Sequence, residues 1–265
     1  MPMGLLLLPF SCNEEIHWDL DYQEEEVIVV EGKITNEVKQ HEVRLTRPVY
    51  EMNGTPEPVA GAEVAINDGR AIHMLTEDAS RPGTYLTDAR FAGAVNKGYQ
   101  LRIGLGDSRY TAIAFMHEVT PFQFMRVIRV QDDPPLYEAY ISNDSEGSSI
   151  VRLELDWSHI PGYDTLPYED NHALIYHYSL NSVDVNRFFP PEREHVWFPP
   201  GTIVYREKES VSREYAEFLR AMPPETDWRG GVFDVMPGNA RTNLTGGALG
   251  YFTAAAVIRD TIVVQ

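Results

Sequence analysis

Short segments in which apolar and polar residues alternate recur along most of this chain, as is typical of β-strands with one buried face. The clearest is 151–157, where four apolar residues alternate with three charged ones. Between 27 and 130, similar segments are separated by Gly, Asn, Asp and Pro, and no convincing helical pattern occurs among them. Roughly seven short strands within about 100 residues favour an immunoglobulin-like or transthyretin-like β-sandwich.

A polar stretch with two prolines, 131–135, predicts a boundary between two domains. We therefore expect the β-sandwich over 27–130 and a second β-rich domain over 136–265, in a fold that is mainly β. One short helix is expected in the second domain, because four apolar residues recur at helical spacing. These residues are Tyr215, Phe218, Leu219 and Met222, and we expect Pro223 and Pro224 to end the helix.

The only cysteine, Cys12, directly follows an apolar run at 4–11. A single cysteine excludes an internal disulfide and a metal site built from several cysteines. Leucines and a small residue before it are typical of the lipid-modified cysteine of a bacterial lipoprotein. Residues 1–12 would then be the remnant of the signal and 13–26 an acidic tether. The basic segment that usually precedes such a run is missing, and the alternative is a buried cysteine near the N-terminus.

The net charge narrows the range of partners. The chain has 265 residues and a formal net charge of -18. Such a charge argues against nucleic acid, because its binding depends on neutralising phosphates with Lys and Arg. It also argues against electrostatic adsorption to anionic lipid. Attachment to a membrane would therefore require the lipid anchor, which holds stably when more than one acyl chain is present.

Several short motifs follow one another along the chain. In order they are VVEGKITN at 29–36, PVAGAEV at 58–64, GTYLT at 83–87, the segment 91–99, GVFD at 231–234, PGN at 237–239, TNL at 242–244 and ALGYF at 248–252. Their order resembles the domain-of-unknown-function family 4249 of Bacteroidetes lipoproteins. The resemblance implies an outer-membrane lipoprotein with no established enzymatic activity. It also implies a role in surface uptake, since such proteins are often encoded beside TonB-dependent transporters. Asn13, Glu14 and Glu15 resemble the surface-export signal of these lipoproteins.

The sequence lacks the motifs of the common catalytic sites, so we expect a protein that is not an enzyme and holds no cofactor. A serine hydrolase of the α/β type would carry a G-x-S-x-G elbow, which does not occur. His172 and His177 are five residues apart, which places them on opposite faces of a strand. No H-E-x-x-H motif exists either. We therefore predict no catalytic residue and no metal site.

A loop at 161–171 that is both acidic and aromatic is the main candidate for contact with a ligand or partner. The candidate side chains are Tyr163, Asp164, Tyr168, Glu169 and Asp170 in this loop, together with Trp197 and Phe198. The loop oxygens could ligate calcium, but a solvated acidic loop is favoured because the spacing matches no EF-hand. Trp157 could stack on a sugar ring, but its place on the apolar face of 151–157 favours the core.

These features together suggest a non-enzymatic lipoprotein that serves a TonB-dependent outer-membrane transporter and helps it capture an extracellular nutrient. We expect it to be lipid-anchored in the outer membrane and exposed at the cell surface. The alternative is an independent surface protein that binds a glycan or calcium. Long loops on β domains fit both hypotheses, because β-sandwich proteins commonly place function on loops. A hydrolase is the third and least favoured hypothesis.

Overall fold

The computed structural model describes residues 27–49, 54–122, 124–141, 147–180, 195–226 and 241–265. Within these ranges it contains fifteen β-strands and two α-helices. The prediction of a mainly β fold is confirmed. Across the same ranges, no helix is both long enough and apolar enough to pass through a lipid bilayer.

Two sheets build the first sandwich. Its strands are β1 (Val29–Thr35), β2 (Glu42–Thr46), β3 (Glu63–Asn67), β4 (Ile72–Met74), β5 (Thr76–Glu77), β6 (Thr84–Leu86), β7 (Lys97–Leu105), β8 (Ser108–Met116) and β14 (Leu249–Ala255). One sheet has the order β14-β1-β2-β6-β5 and the other the order β4-β3-β7-β8. The predicted β-sandwich is therefore present, with one strand added from near the C-terminus.

The inner faces of these two sheets share one hydrophobic core. Ile34 and Val43 come from the first sheet, Leu101 and Ile103 from the second, and Phe252 from β14, and each is at most 1% exposed. Burial of such a side chain stabilises the fold by roughly 1.5–3 kcal/mol. The alternation seen in the sequence thus sorts the apolar residues onto the inner faces.

Strand β14 pairs in parallel with β1, placing Leu249 opposite Val29 and Ala255 opposite Thr35. Part of the range 136–265 therefore completes the first sandwich, although the whole range was expected to form a separate domain. Gly250 permits the close approach of the two strands. Its φ is +88°, and a Cβ at this position would lie 2.1 Å from the carbonyl oxygen of Val30.

The remaining elements form the second unit. They are β9 (Met125–Asp132), β10 (Pro135–Ile141), β11 (Ser149–Asp156), α1 (Tyr168–Asn171), β12 (His172–Ser179), β13 (Ile203–Ser210), α2 (Arg213–Thr226) and β15 (Val257–Val263). Four strands make an antiparallel sheet of order β12-β11-β13-β15. The hairpin of β9 and β10 packs on one face of this sheet, around Leu153, Leu155 and Val204.

The segment 131–135, which the sequence predicts as a domain boundary, forms the turn of the hairpin. Asp132 pairs with Pro135, and the ladder continues to Met125 and Ile141. The chain instead passes from the first sandwich to the second unit at 117–124, and it returns between β14 and β15 at Ala256. Proline and acidic residues suit a tight turn as well as a linker, so composition alone did not separate the two.

Helix α2 lies in the corner between the first sandwich and the second unit. Ser212 caps it, since the Ser212 hydroxyl accepts a hydrogen bond of 3.1 Å from the Tyr215 backbone N–H. Tyr215 packs toward Ile150 of the second sheet and toward Tyr251 of β14. The predicted helix is confirmed, but it extends to Thr226 instead of ending at the two prolines.

Buried polar contacts hold the second sheet to the first sandwich and to the segment that connects the two units. The Lys208 ammonium is fully buried and donates hydrogen bonds to Thr120 Oγ1 at 2.7 Å and to the Pro121 carbonyl oxygen at 2.8 Å. The next residue, Glu209, pairs with Lys33 of β1 at 2.7 Å. The Ser210 hydroxyl donates a hydrogen bond to the His117 carbonyl oxygen and accepts one from the Ala256 backbone N–H. Three consecutive residues of β13 thus fix the orientation of the second sheet.

Candidate functional site

The predicted lipidation site and export signal lie outside the described residues. Cys12, Asn13, Glu14 and Glu15 all precede residue 27, where the described chain begins. Their roles stay predictions.

Hydrogen bonds from Asn171 and from the neighbouring Trp157 hold the predicted loop at 161–171 in place. The buried Asn171 side chain donates hydrogen bonds of 3.1 Å to the carbonyl oxygens of Tyr163 and Leu166. The Trp157 indole N–H donates to the Asp170 carbonyl oxygen at 3.1 Å, and Trp157 is only 6% exposed. Trp157 is therefore a core residue, which is the interpretation that the sequence favoured.

The acidic residues of this loop do not converge. The Asp164 carboxylate accepts a hydrogen bond from the Gly162 backbone N–H at 3.1 Å. Glu169 and Asp170 lie in the first turn of α1 and are exposed. Among the residues that the structure describes, no group of three or more His, Cys, Asp or Glu side chains could hold a metal ion. The loop carboxylates are arranged as a solvated surface.

The two aromatic residues at 197–198 point to opposite sides. Trp197 is about half exposed, at 51%. Phe198 is fully buried and exchanges backbone hydrogen bonds with Tyr137 at 2.8 and 3.0 Å. This corrects the expectation that Phe198 contacts a partner. Successive side chains of an extended segment alternate in direction, and the core of the second unit covers the Phe198 side.

A surface that the sequence did not single out lies on the outer face of the four-stranded sheet. Six side chains, which we call the tyrosine face, share it: Tyr168, His172, Leu174, Tyr176, Tyr178 and Tyr205. Four of them come from alternate positions of β12, and Tyr205 lies on the same face of β13, because both Leu174 and Tyr205 pair with Glu154. Tyr168 joins the end of the row by stacking on His172, with ring centroids 4.0 Å apart.

The aromatic rings of the tyrosine face are accessible to a ligand. Leu174, Tyr176 and Tyr178 are 50–52% exposed, Tyr205 is 44% exposed, and Tyr168 is 67% exposed. The Tyr176 and Tyr178 rings are stacked, with centroids 6.4 Å apart. Burial of part of its surface, together with the neighbouring Tyr176 and Glu209, raises the pKa of Tyr178. Its hydroxyl therefore stays neutral near pH 7 and can donate a hydrogen bond.

The charged groups on this face are paired with each other. Arg152, which is opposite Tyr176 in the ladder, binds Glu154 at 2.8 Å. One strand further along, Arg259 binds Glu207 at 2.7 Å. Each guanidinium thus has a carboxylate beside it, and the face presents hydrogen-bond donors and acceptors side by side.

A recess that is separate from the tyrosine face lies between the edge strands β8 and β14, beside the start of α2. Its volume is about 270 Å³, and Phe115, Ser212 and Tyr251 are among its lining residues. The Asn243 amide closes one end by donating to the carbonyl oxygens of Ile113 at 2.9 Å and Phe252 at 2.8 Å. Burial, with a smaller effect of the Glu214 charge, raises the pKa of Tyr251 to about 12. Because its main polar group is used by the fold, this recess is a weaker candidate.

The family comparison agrees with the resemblance in the sequence. A family model described as "Domain of unknown function (DUF4249)" matches residues 13–188, about two thirds of the chain. The chain belongs to this family. No curated protein matches the DUF4249 chain in sequence. The matched range includes β12 and Tyr168, whereas Tyr205, α2 and β14 follow it.

The sequence of this DUF4249 protein does contain a signal for the tyrosine face, although an ambiguous one. In 172–178, the even-numbered residues after His172 are Leu174, Tyr176 and Tyr178, and the odd-numbered ones include Ala173 and Ile175. Both sets are largely apolar, so alternation does not reveal which set faces the core. Only the packing of the β9–β10 hairpin assigns the odd-numbered set to the interior.

Proposed function

We propose that this protein is a non-enzymatic lipoprotein of the outer membrane, exposed at the cell surface, which helps a TonB-dependent transporter to capture an extracellular nutrient. The observation that carries the binding role is the tyrosine face, a row of half-exposed aromatic side chains on a firmly held sheet. Contiguous exposed apolar surface of this kind marks interaction sites in soluble domains. The transporter and the membrane rest on the family resemblance.

The position of the first strand supports the anchoring part of the proposal. Strand β1 begins at Val29, so 16 residues separate Cys12 from the first sandwich. Fully extended, a segment of this length reaches at most about 55 Å. A lipid on Cys12 would therefore leave the tyrosine face free to contact ligands or partners beyond the membrane surface.

The construction of the tyrosine face supports a binding role more than a catalytic one. Its guanidinium and carboxylate groups, such as Arg152 and Glu154, are engaged with each other. Its phenol groups stack and form hydrogen bonds, but they do not provide an activated nucleophile and base.

The second candidate is an independent surface protein that binds a glycan without a transporter. Stacked tyrosines beside paired charges support a glycan ligand in either setting. A calcium-binding role has less support, since the loop carboxylates at 164, 169 and 170 are spread over a surface.

Affinity purification from detergent-solubilised outer membranes of the native host tests the proposal. We expect the tagged wild-type protein to carry lipid by mass spectrometry and to co-purify with a β-barrel transporter in near-stoichiometric amount. A Cys12→Ala variant should be recovered unacylated in the soluble fraction. Recovery of the wild-type protein as a lone monomer would contradict the transporter role, and a wild-type protein without lipid would contradict the anchor.

A further inference from the structure

We propose that the tyrosine face binds an uncharged oligosaccharide. This inference rests on the proposed function for its extracellular setting, and it names the ligand class and the residues that hold it. Its three supports are the aromatic rings, the polar groups between them, and the size and charge of the face.

The aromatic rings provide surfaces for stacking. Tyr176 and Tyr178 occupy consecutive outward positions of one strand, and their ring planes differ by 27°. The C–H faces of pyranose rings are apolar and pack on aromatic rings, while the phenol hydroxyls at the ring ends remain available to water or ligand. Tyr168 and His172 continue the row; they stack on each other with centroids 4.0 Å apart, so each offers a ligand only its outer ring face. Linked sugar rings laid along β12 would thus meet several aromatic surfaces in succession.

The polar groups between the rings match the needs of sugar hydroxyls. A hydroxyl both donates and accepts hydrogen bonds, and the Arg152–Glu154 pair offers donors and acceptors side by side. Arg152 is opposite Tyr176, and Glu154 is opposite both Leu174 and Tyr205. A ligand stacked on the tyrosines would therefore have a guanidinium and a carboxylate within reach.

Charge disfavours an anionic ligand. The whole chain carries a formal charge of -18, so its field disfavours anions such as nucleic acids or acidic polysaccharides. On the face itself, Arg152 pairs with Glu154, and Arg259 contacts both Glu207 and Glu37. The guanidinium groups of the face are thus neutralised by carboxylates and do not attract an anion.

The size of the face favours a short oligosaccharide over a protein. From His172 to Tyr178 the face extends about 20 Å, and from β12 to β13 it spans about 10 Å. Helix α2 limits it at one end by covering Ile150. The four tyrosines, 44–67% exposed, offer with Leu174 on the order of 500 Å² of accessible surface, which is below the ~800 Å² per partner of a stable protein interface. A chain of several sugar rings fits such a strip.

Titration calorimetry with full-length protein in detergent tests the inference. The probes are maltohexaose, cellohexaose, xylohexaose and mannohexaose, with polygalacturonic acid fragments as the charged comparison. We expect at least one neutral probe to bind with a Kd below about 1 mM. Tyr176→Ala and Tyr178→Ala should each weaken that binding about three- to tenfold, and Tyr176→Phe should retain most of it because the ring remains.

Tyr140→Ala is the matched control. Tyr140 is an exposed strand tyrosine, at 38%, but it lies on β10, which packs on the opposite face of the sheet. This variant should bind the probe as the wild type does, and circular dichroism should show that all variants keep the fold.

Two calorimetric outcomes would overturn the inference: no neutral probe binds, whether or not the charged fragments do, or Tyr140→Ala loses as much affinity as Tyr176→Ala. Co-purification of the transporter separates this inference from the proposed function. If Tyr176→Ala loses the transporter and leaves sugar binding intact, the face is a protein interface and the inference fails. If sugar binding depends on the tyrosines but no transporter is recovered, the inference stands and the transporter role fails.

Discussion

The outer faces of two four-stranded sheets expose apolar side chains in different ways. On the sheet of order β4-β3-β7-β8, Ile72 and Ile113 are 58% and 70% exposed, but they lie on opposite edge strands. Asn67 and Gln100 separate them in the same row of the ladder. On the sheet of order β12-β11-β13-β15, the exposed apolar and aromatic residues instead follow one another along β12.

This difference separates ordinary surface from candidate site. Single exposed apolar side chains are normal in soluble proteins, whereas a contiguous group is the feature that marks binding surfaces. The first sandwich buries both inner faces and exposes two short apolar pairs on its edge strands, Ile72 with Met74 and Ile113 with Phe115. The second unit buries one face of its sheet under the hairpin and leaves the other face open between α1 and α2.

The largest effect should come from disrupting the strand that closes the first sandwich. In Gly250→Ala, the new Cβ would lie 2.1 Å from the Val30 carbonyl oxygen at a φ of +88°. Steric conflict and left-handed strain together should cost roughly 4 kcal/mol of unfolding free energy. Urea denaturation measures this loss. Gly247→Ala is the control, because its φ of +79° is similar but nothing lies within 4 Å of its Cβ, and it should lose only about 1–2 kcal/mol. Equal losses would contradict the closing role of β14.

The contact between the two regions should give the next largest effect. Lys208→Met removes two charge-assisted hydrogen bonds from a fully buried position, and we expect a loss of roughly 3 kcal/mol. Protease cleavage within 117–124 should become faster. Lys33→Met is the comparison variant, since the Lys33 side chain is 42% exposed although that of Glu209 is only 11% exposed, and it should lose about 1–2 kcal/mol. If Lys33→Met is as damaging as Lys208→Met, burial of the ammonium is not what secures the units.

Acid should weaken the first sandwich through His41. Its Nδ1 accepts a hydrogen bond from the Thr35 N–H at 3.2 Å, so its Nε2 carries the proton and donates to the Glu37 carbonyl oxygen at 3.1 Å. Burial, aided by the charge of Lys39, lowers the pKa of His41 to about 4 from an ordinary value of 6.5. Between these two values the unfolded chain binds a proton that the folded chain does not, so stability falls as the pH falls.

We expect His41 to account for a loss of about 2 kcal/mol between about pH 7 and pH 4.5. Hydrogen exchange should show that β1 and β2 lose protection in this range before β11 and β13. His41→Gln should reduce the pH dependence of unfolding in the same window. An unchanged slope in the variant would show that His41 is not responsible.

The smallest effects on stability should come from the two outer faces themselves, and they test the comparison most directly. Ile113→Ser and Tyr205→Ser both replace exposed side chains, so each should change the unfolding free energy by no more than about 0.5 kcal/mol. Only Tyr205→Ser should weaken oligosaccharide binding in calorimetry. Equal binding losses in the two variants would remove the distinction between the faces.

Much of the local structure could be predicted from the sequence. Alternation in 151–157 marks β11, and the spacing from Tyr215 to Met222 marks α2. Both patterns arise from side chains a few residues apart and from the fixed geometry of a strand or helix. The same patterns correctly placed Trp157 in the core, since it is the last apolar residue of that alternation.

The candidate site could be predicted only in part. Tyr168 stood out in the sequence and lies at one end of the tyrosine face. Tyr176 and Tyr178 did not stand out, because both faces of β12 are apolar in sequence and only the packed hairpin shows which one is covered. Phe198 was misplaced for the same reason, since its burial depends on pairing with Tyr137, 61 positions earlier.

The sequence by itself determined that this chain forms short strands, one amphipathic helix and a mainly β protein. The tertiary structure decided which strands meet, and so placed β14 beside β1, more than 200 residues earlier, and the Lys208 ammonium in the contact between the two units. The physical reason is that strand formation depends on neighbours along the chain, whereas pairing partners and covered faces depend on burial and hydrogen bonding between distant segments. The open face of β12, and with it the candidate binding surface, therefore depends on contacts between segments that are distant in the sequence.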